Sequence, residues 1–114
     1  MIYNGVKIHF FWLPFGQGLV INSKRCIVKP VKYRNTDIIA PKETCEVIMH
    51  ELDHCAKIKR LGWLNFFATI IQRYITKGYS KTDWELDADK QEIHWNTIFN
   101  LFIIYCKQKN LKFQ

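Results

Sequence analysis

Apolar and polar residues alternate in the first part of the chain and then switch to spacings of three and four. Residues 6–12 (VKIHFFW) are β-branched and aromatic and read as a strand. Pro14, Gly16 and Gly18 then break the pattern. Leu19-Val20-Ile21 and Cys26-Ile27-Val28 read as two short strands joined by a hairpin turn over Asn22-Ser23-Lys24-Arg25. Pro30 closes the second of these. The stretch to Pro41 reads as loop, with Thr36 and Asp37 as turn formers.

From about Lys42 to Leu61 the period is helical: Val47, His50/Glu51, His54, Ile58 and Leu61 recur on one face. Lys57, Lys59 and Arg60 fall in the last turns, where cations suit the helix dipole, and Gly62 follows as a stop. A second helix is expected from about Trp63 to Lys77, ended by Gly78. A third begins after Thr82, where Thr82-Asp83-Trp84-Glu85 has the form of a capping box. Trp84, Ala88, Trp95, Phe99, Phe102 and Cys106 continue it as one apolar stripe, read as core. The order predicts an α+β domain over 1–114: a short N-terminal β-hairpin or small antiparallel sheet packed on three helices.

Composition supports a packed core, with 48% hydrophobic residues, among them four Trp, five Tyr and eight Phe. The net charge of +7 favours acidic partners, but the basic residues are scattered. The densest groups are Lys57-Lys59-Arg60 and Lys107-Lys109-Lys112, and neither forms a long block. Nucleic acid is therefore a weakly supported partner. Cys26, Cys45, Cys55 and Cys106 form no C-x-x-C pair, and Lys7 and His9 interrupt the first apolar stretch, so no secretory signal is read. Reduced, partly buried cysteines are expected. No apolar run reaches the ~18 residues that span a bilayer. The location implied is cytoplasmic, or on a phage virion.

One segment carries chemistry. His50-Glu51-Leu52-Asp53-His54 spells His-Glu-x-x-His inside the first helix. Histidines four apart stack on one helical face and can offer ring nitrogens to one Zn²⁺. Glu51, beside them, can act as general base toward a water on that metal. A catalytic zinc takes a third protein ligand. The pattern His-Glu-x-x-His-x-x-Gly-x-x-His is absent, since Arg60 and Leu61 occupy the relevant positions. A carboxylate from a following helix is the other solution, and Glu85 opens such a helix. The lesser alternative for Glu85 is to cap the Thr82 backbone. Asp89 and Glu92 are reserves one and two turns on. His94 is expected to face away from Glu85.

Here the chain resembles the small gluzincin-type zinc metallopeptidases. Glu85-Leu86-Asp87-Ala88-Asp89 is similar to their Glu-x-x-Ala-Asp/Asn segment. Met49-His50-Glu51-Leu52, Gly62, Phe66-Phe67, Tyr74 and Gly78-Tyr79 fall in the order of minimal bacterial and phage proteins of this kind. The likeness runs roughly from Gly16 to Asp89. It implies a minimal zincin-like fold, zinc on His50, His54 and Glu85, a small residue at Ala88 for close helix approach, and Asp89 hydrogen-bonded to a zinc-binding histidine. Asp53, Lys57 and Lys59 depart from the pattern.

The function expected is hydrolysis of peptide bonds, with Glu51 taking a proton from the activated water and passing it to the leaving amine. The oxyanion needs a further donor, for which Tyr79 is the first candidate and Tyr74 the second. An extended peptide or protein substrate would add to an edge of the Leu19–Val28 hairpin. The alternative is a non-catalytic, zinc-stabilised structural or interaction protein, with a partner protein or a phage particle as its context. A DNA-associated protease like the SprT group ranks lowest, because that group's third histidine and Cys₄ ribbon are absent.

Overall fold

Four strands and four α-helices occur in the computed structural model, which describes residues 1–14, 16–77 and 83–114. The strands are β1 (Ile2–Tyr3), β2 (Val6–Phe10), β3 (Gly18–Asn22) and β4 (Arg25–Val28). The helices are α1 (Pro41–Leu61), α2 (Trp63–Lys77), α3 (Asp83–Gln91) and α4 (Asn96–Gln108). Gly78, Tyr79 and Thr82 lie outside the described residues, and with them the capping box and the first-choice oxyanion donor. No helix among the described residues is long and apolar enough to cross a membrane.

The sheet order is β1-β2-β4-β3. The expected antiparallel sheet is in fact mixed: β2 runs parallel to β4, while β1–β2 and β3–β4 are antiparallel. Burial explains the order. Cys26 and Val28 of β4 are fully buried, so β4 takes the centre, and β3, with Leu19 and Ile21 exposed, takes the edge. The strand expected over 6–12 ends at Phe10 because its ladder partner Val28 is the last residue of β4. Sequence reading passed over β1. Its signal was Asn4-Gly5, whose positive φ values (49° and 78°) make the two-residue turn between Tyr3 and Val6.

Helix α1 lies across the sheet. Thr44, Cys45, Val47, Ile48, Glu51, His54, Cys55 and Ile58 are buried at helical spacing. Pro41 opens the helix with its fixed φ, and Gly62 closes it at φ 85°, its N–H bonded to Ile58 O. Trp63 then donates its indole N–H to Ile21 O (3.2 Å) at the irregular point of β3, tying the start of α2 to the sheet edge.

The single third helix expected after Thr82 is two helices. A 3-10 turn at Glu92–His94 separates α3 from α4. One straight helix could bury only one continuous face. The break lets α3 bring Trp84 and Ala88 inward, while α4 brings Ile98, Phe102 and Cys106 into the same core. Phe102 and Tyr105 meet Phe10 of β2 at ring distances of 5.4 and 4.9 Å. Ile98 is fully buried, whereas Trp95 and Phe99, assigned to the stripe by heptad spacing, only pack against the core.

Candidate functional site

The buried face of α1 carries four polar residues, Thr44, Glu51, His54 and Lys57, and Glu51 and His54 lie in its middle. Burying such groups is costly unless partners meet them. Helix α3 supplies the partner. Ala88, one turn from Glu85, is fully buried, and Glu85 reaches both histidines. Its Oε1 lies 3.0 Å from His54 Nε2 and its Oε2 lies 3.2 Å from His50 Nε2. The two rings are 5.0 Å apart, edge to face. The remaining nitrogen of His50, Nδ1, lies 3.1 Å from Asp89 Oδ1 and 3.5 Å from Glu92 Oε2.

The ligand-capable atoms of His50, His54 and Glu85 all lie within 4.8 Å of one another, a spacing at which one metal ion could be held. His50, Asp89 and Glu92 form a second group at the same spacing, but they share His50 with the first. The donor chemistry of the first group suits zinc: two imidazoles and one carboxylate, with Asp89 on the outer nitrogen of one imidazole.

Electrostatics bind this cluster tightly. Burial pushes the Glu85 carboxyl up, but hydrogen bonds from His50 and His54 outweigh it and hold the group at about 2. Burial pulls His50 down, but its bond to Glu85 and the charges of Glu51, Glu85 and Glu92 raise it to about 9. Glu51 is different. Burial raises it above the usual carboxylate range, and the nearby histidines offset only part of that. A carboxylate moved toward neutral pH is suited to accepting and releasing a proton. Glu92 is also raised, by burial and by a hydrogen bond shared with Asp89.

A cleft of about 390 Å³ opens over these groups, lined by Gly16, Gln17 and Gly18 on one side and by His50, Glu51, Glu85, Asp89 and Glu92 on the other. Gly18 shapes it, and sequence reading had taken this residue only for a chain breaker. A Cβ at position 18 would lie 2.6 Å from Glu51 Cγ and Oε1. A glycine at a strand end marks close approach of another group, and that was the missed signal. Gly18→Ala should therefore push Glu51 out of its position. We expect hydrolytic turnover, where measured, to fall at least about tenfold while metal content is unchanged. Equal turnover in the two proteins would show that Glu51 is not held there by contact with the β3 backbone.

Beneath the site, Phe66 lies edge-on to His54 (6.0 Å) and stacks on Trp84 (5.3 Å). The guanidinium of Arg73 covers the Trp84 ring at 4.6 Å. These aromatics wall off the inner side of His54, whose Nδ1 is buried with no hydrogen-bond partner among the described residues. Asp53, Lys57 and Lys59 are not among the residues lining the cleft. Asp53 pairs with Lys57 one turn on, and Lys57 also reaches Asp87 at 3.7 Å. Asp87 thus faces Lys57 rather than the histidines. His94 is exposed, and Tyr74, exposed on α2, is not among the residues lining the cleft.

Asp89 and Asp87 form an internal comparison on one helix. Asp89→Asn should lower zinc affinity by about 10–100-fold, because the amide no longer accepts a full-strength bond from His50 Nδ1–H. Asp87→Asn should be nearly neutral. Competition against a zinc-binding dye measures both. Equal losses would show a general charge effect and no role for the Asp89 contact.

Compared with protein-family models, with curated proteins and with solved structures, the chain finds no match.

Proposed function

We propose that this chain is a zinc-dependent peptidase whose metal is held by His50, His54 and Glu85. The observation that carries the reading is the convergence of two imidazole Nε2 atoms on one carboxylate, with the buried Glu51 one residue along α1 and a cleft above them. The three ligand atoms already face one another, so a divalent cation could take its place between them in exchange for protons.

The chemistry a bound zinc ion supplies is Lewis acidity toward a water and toward a substrate carbonyl. The residues of the chain do the rest. Glu51 takes the proton of the attacking water and hands it to the leaving amine. Asp89 accepts the Nδ1–H of His50 and so fixes which nitrogen faces inward. Gly18, having no Cβ, leaves the Glu51 carboxyl its space. Strand β3 lies at the edge of the sheet and begins at the cleft, so an extended peptide could add to it by backbone hydrogen bonds. A zincin-like fold is the architectural part of the same reading.

The test is turnover. Protein loaded with zinc should release new amino termini from an unfolded protein substrate, and chelated protein should not. A protein that binds zinc stoichiometrically but cleaves nothing would favour the other reading, a metal clip joining α1 to α3 in an interaction protein.

A further inference from the structure

A second cavity lies beside the cleft and shares Gln17 with it. It has a volume of about 530 Å³ and is walled by Phe10, Phe11 and Trp12 from the end of β2 and by Lys29 and Lys32 after β4. Gln17 lines both this pocket and the cleft, and its carbonyl accepts the Lys29 N–H at 2.8 Å. The next residue is Gly18, which touches Glu51. The pocket and the cleft therefore share a wall at Gln17, and an extended chain lying in the cleft can continue into the pocket.

The lining has a definite chemistry. Phe11 and Trp12 are 68% and 69% exposed, an unusual setting for two adjacent large aromatics. Neither Lys29 nor Lys32 has an acidic partner among the described residues, and no acidic residue lines the pocket. The cleft beside it is the reverse, with Glu51, Glu85, Asp89 and Glu92 together. A nucleic-acid strand long enough to use the pocket would drive its phosphates against those carboxylates. A peptide has a neutral backbone and can place charge at one residue only.

We propose that this pocket is a specificity site for a polypeptide segment that carries an acidic residue next to a large apolar or aromatic one. The proposal rests on reading the cleft as a peptide site. The carboxylate pairs with Lys29 and Lys32, and the apolar side chain lies on Phe11 and Trp12. Bound this way, the segment positions a neighbouring peptide bond over Glu51.

Binding is measured on Glu51→Gln protein, so that nothing is cleaved, by fluorescence anisotropy of a dye-labelled peptide with a central Phe-Glu-Glu and of its Phe-Gln-Gln counterpart. The acidic peptide should bind at least about fivefold more tightly. Lys29→Gln with Lys32→Gln should remove the preference, and Lys29→Glu with Lys32→Glu should invert it. Trp12→Ala should weaken both peptides by about tenfold. Lys109→Glu, an exposed change at the end of α4, should leave the preference intact. Equal binding of the two peptides, or an equal loss in Lys109→Glu, overturns the proposal. So does a short oligothymidylate that binds more tightly and competes at Lys29 and Lys32. Absence of hydrolysis by the zinc-loaded wild type, with the binding preference intact in Glu51→Gln, overturns the peptidase reading and leaves the pocket standing. Hydrolysis with no preference does the opposite.

Discussion

Replacing His54 with alanine should leave the purified protein without stoichiometric zinc. His54 is 5% exposed and its Nε2 already faces the Glu85 carboxylate at 3.0 Å. Losing one of three protein ligands should cost more than the roughly 10–100-fold that a change outside the ligand shell costs. His50→Ala should do the same, and Glu85→Ala should weaken binding strongly. His94→Ala, at an exposed position, should keep the metal. Stability should follow. Zinc would join α1 to α3, two helices that otherwise meet through the shared core around Trp84 and through the charged cluster. At free zinc about 1,000 times Kd, binding stabilises the fold by about 4 kcal/mol, which corresponds to a Tm rise on the order of 10–15 °C in a domain of this size. Chelated wild type should then melt well below the zinc-loaded protein, and His54→Ala lower still, since it also loses the Glu85 contact and leaves a space beside Phe66. Elemental analysis and thermal unfolding measure both quantities. Stoichiometric zinc in His54→Ala, or an unchanged Tm after verified zinc removal, would sink the ligand assignment.

Glu51→Gln should abolish turnover and keep the metal. The amide is nearly the same shape but cannot take a proton. General-base assistance is worth about 10²–10⁴-fold, or about 3–5 kcal/mol of barrier, so the residual rate should fall by that factor. The fold should not suffer. Burial raises the Glu51 pKa, so the ionised group weighs against folding above its ordinary pKa, and that burden relaxes as the pH falls. Glutamine carries no such charge at any pH. The Tm of the variant at neutral pH should therefore equal or exceed that of the wild type. Single-turnover cleavage, zinc content and melting together test this. Retained activity would remove Glu51 as the base, and lost zinc would assign it to the metal instead.

Local features of this chain were legible because their causes are local. The face carrying His50, Glu51 and His54 follows from spacing on one helix. The bounds Trp63 to Lys77 follow from apolar periodicity between two glycines. Asp87 and Asp89 were separable by helical angle alone, and the structure turns them to Lys57 and His50 respectively. Other features were hidden because no local pattern encodes them. The 3-10 turn at Glu92–His94 contains no Gly or Pro, and heptad spacing ran straight through it. It forms because two faces, one toward His50 and one toward Phe10, must be buried by a single stretch of chain.

The sequence by itself determined that α1 would carry two histidines and a glutamate on one face, and that Glu85 and Asp89 would lie one turn apart on a later helix. Each of these is a relation between residues a few positions apart, and helix geometry alone enforces it. Only the tertiary structure decided that His50 and Glu85, 35 residues apart, would meet at 3.2 Å. Only it placed β4 in the centre of a mixed sheet, with Gly18 of the edge strand against Glu51. Those contacts depend on which elements pack together, and that is set by burial of Cys26, Val28, Ala88 and Phe102 in a shared core, not by any spacing along the chain.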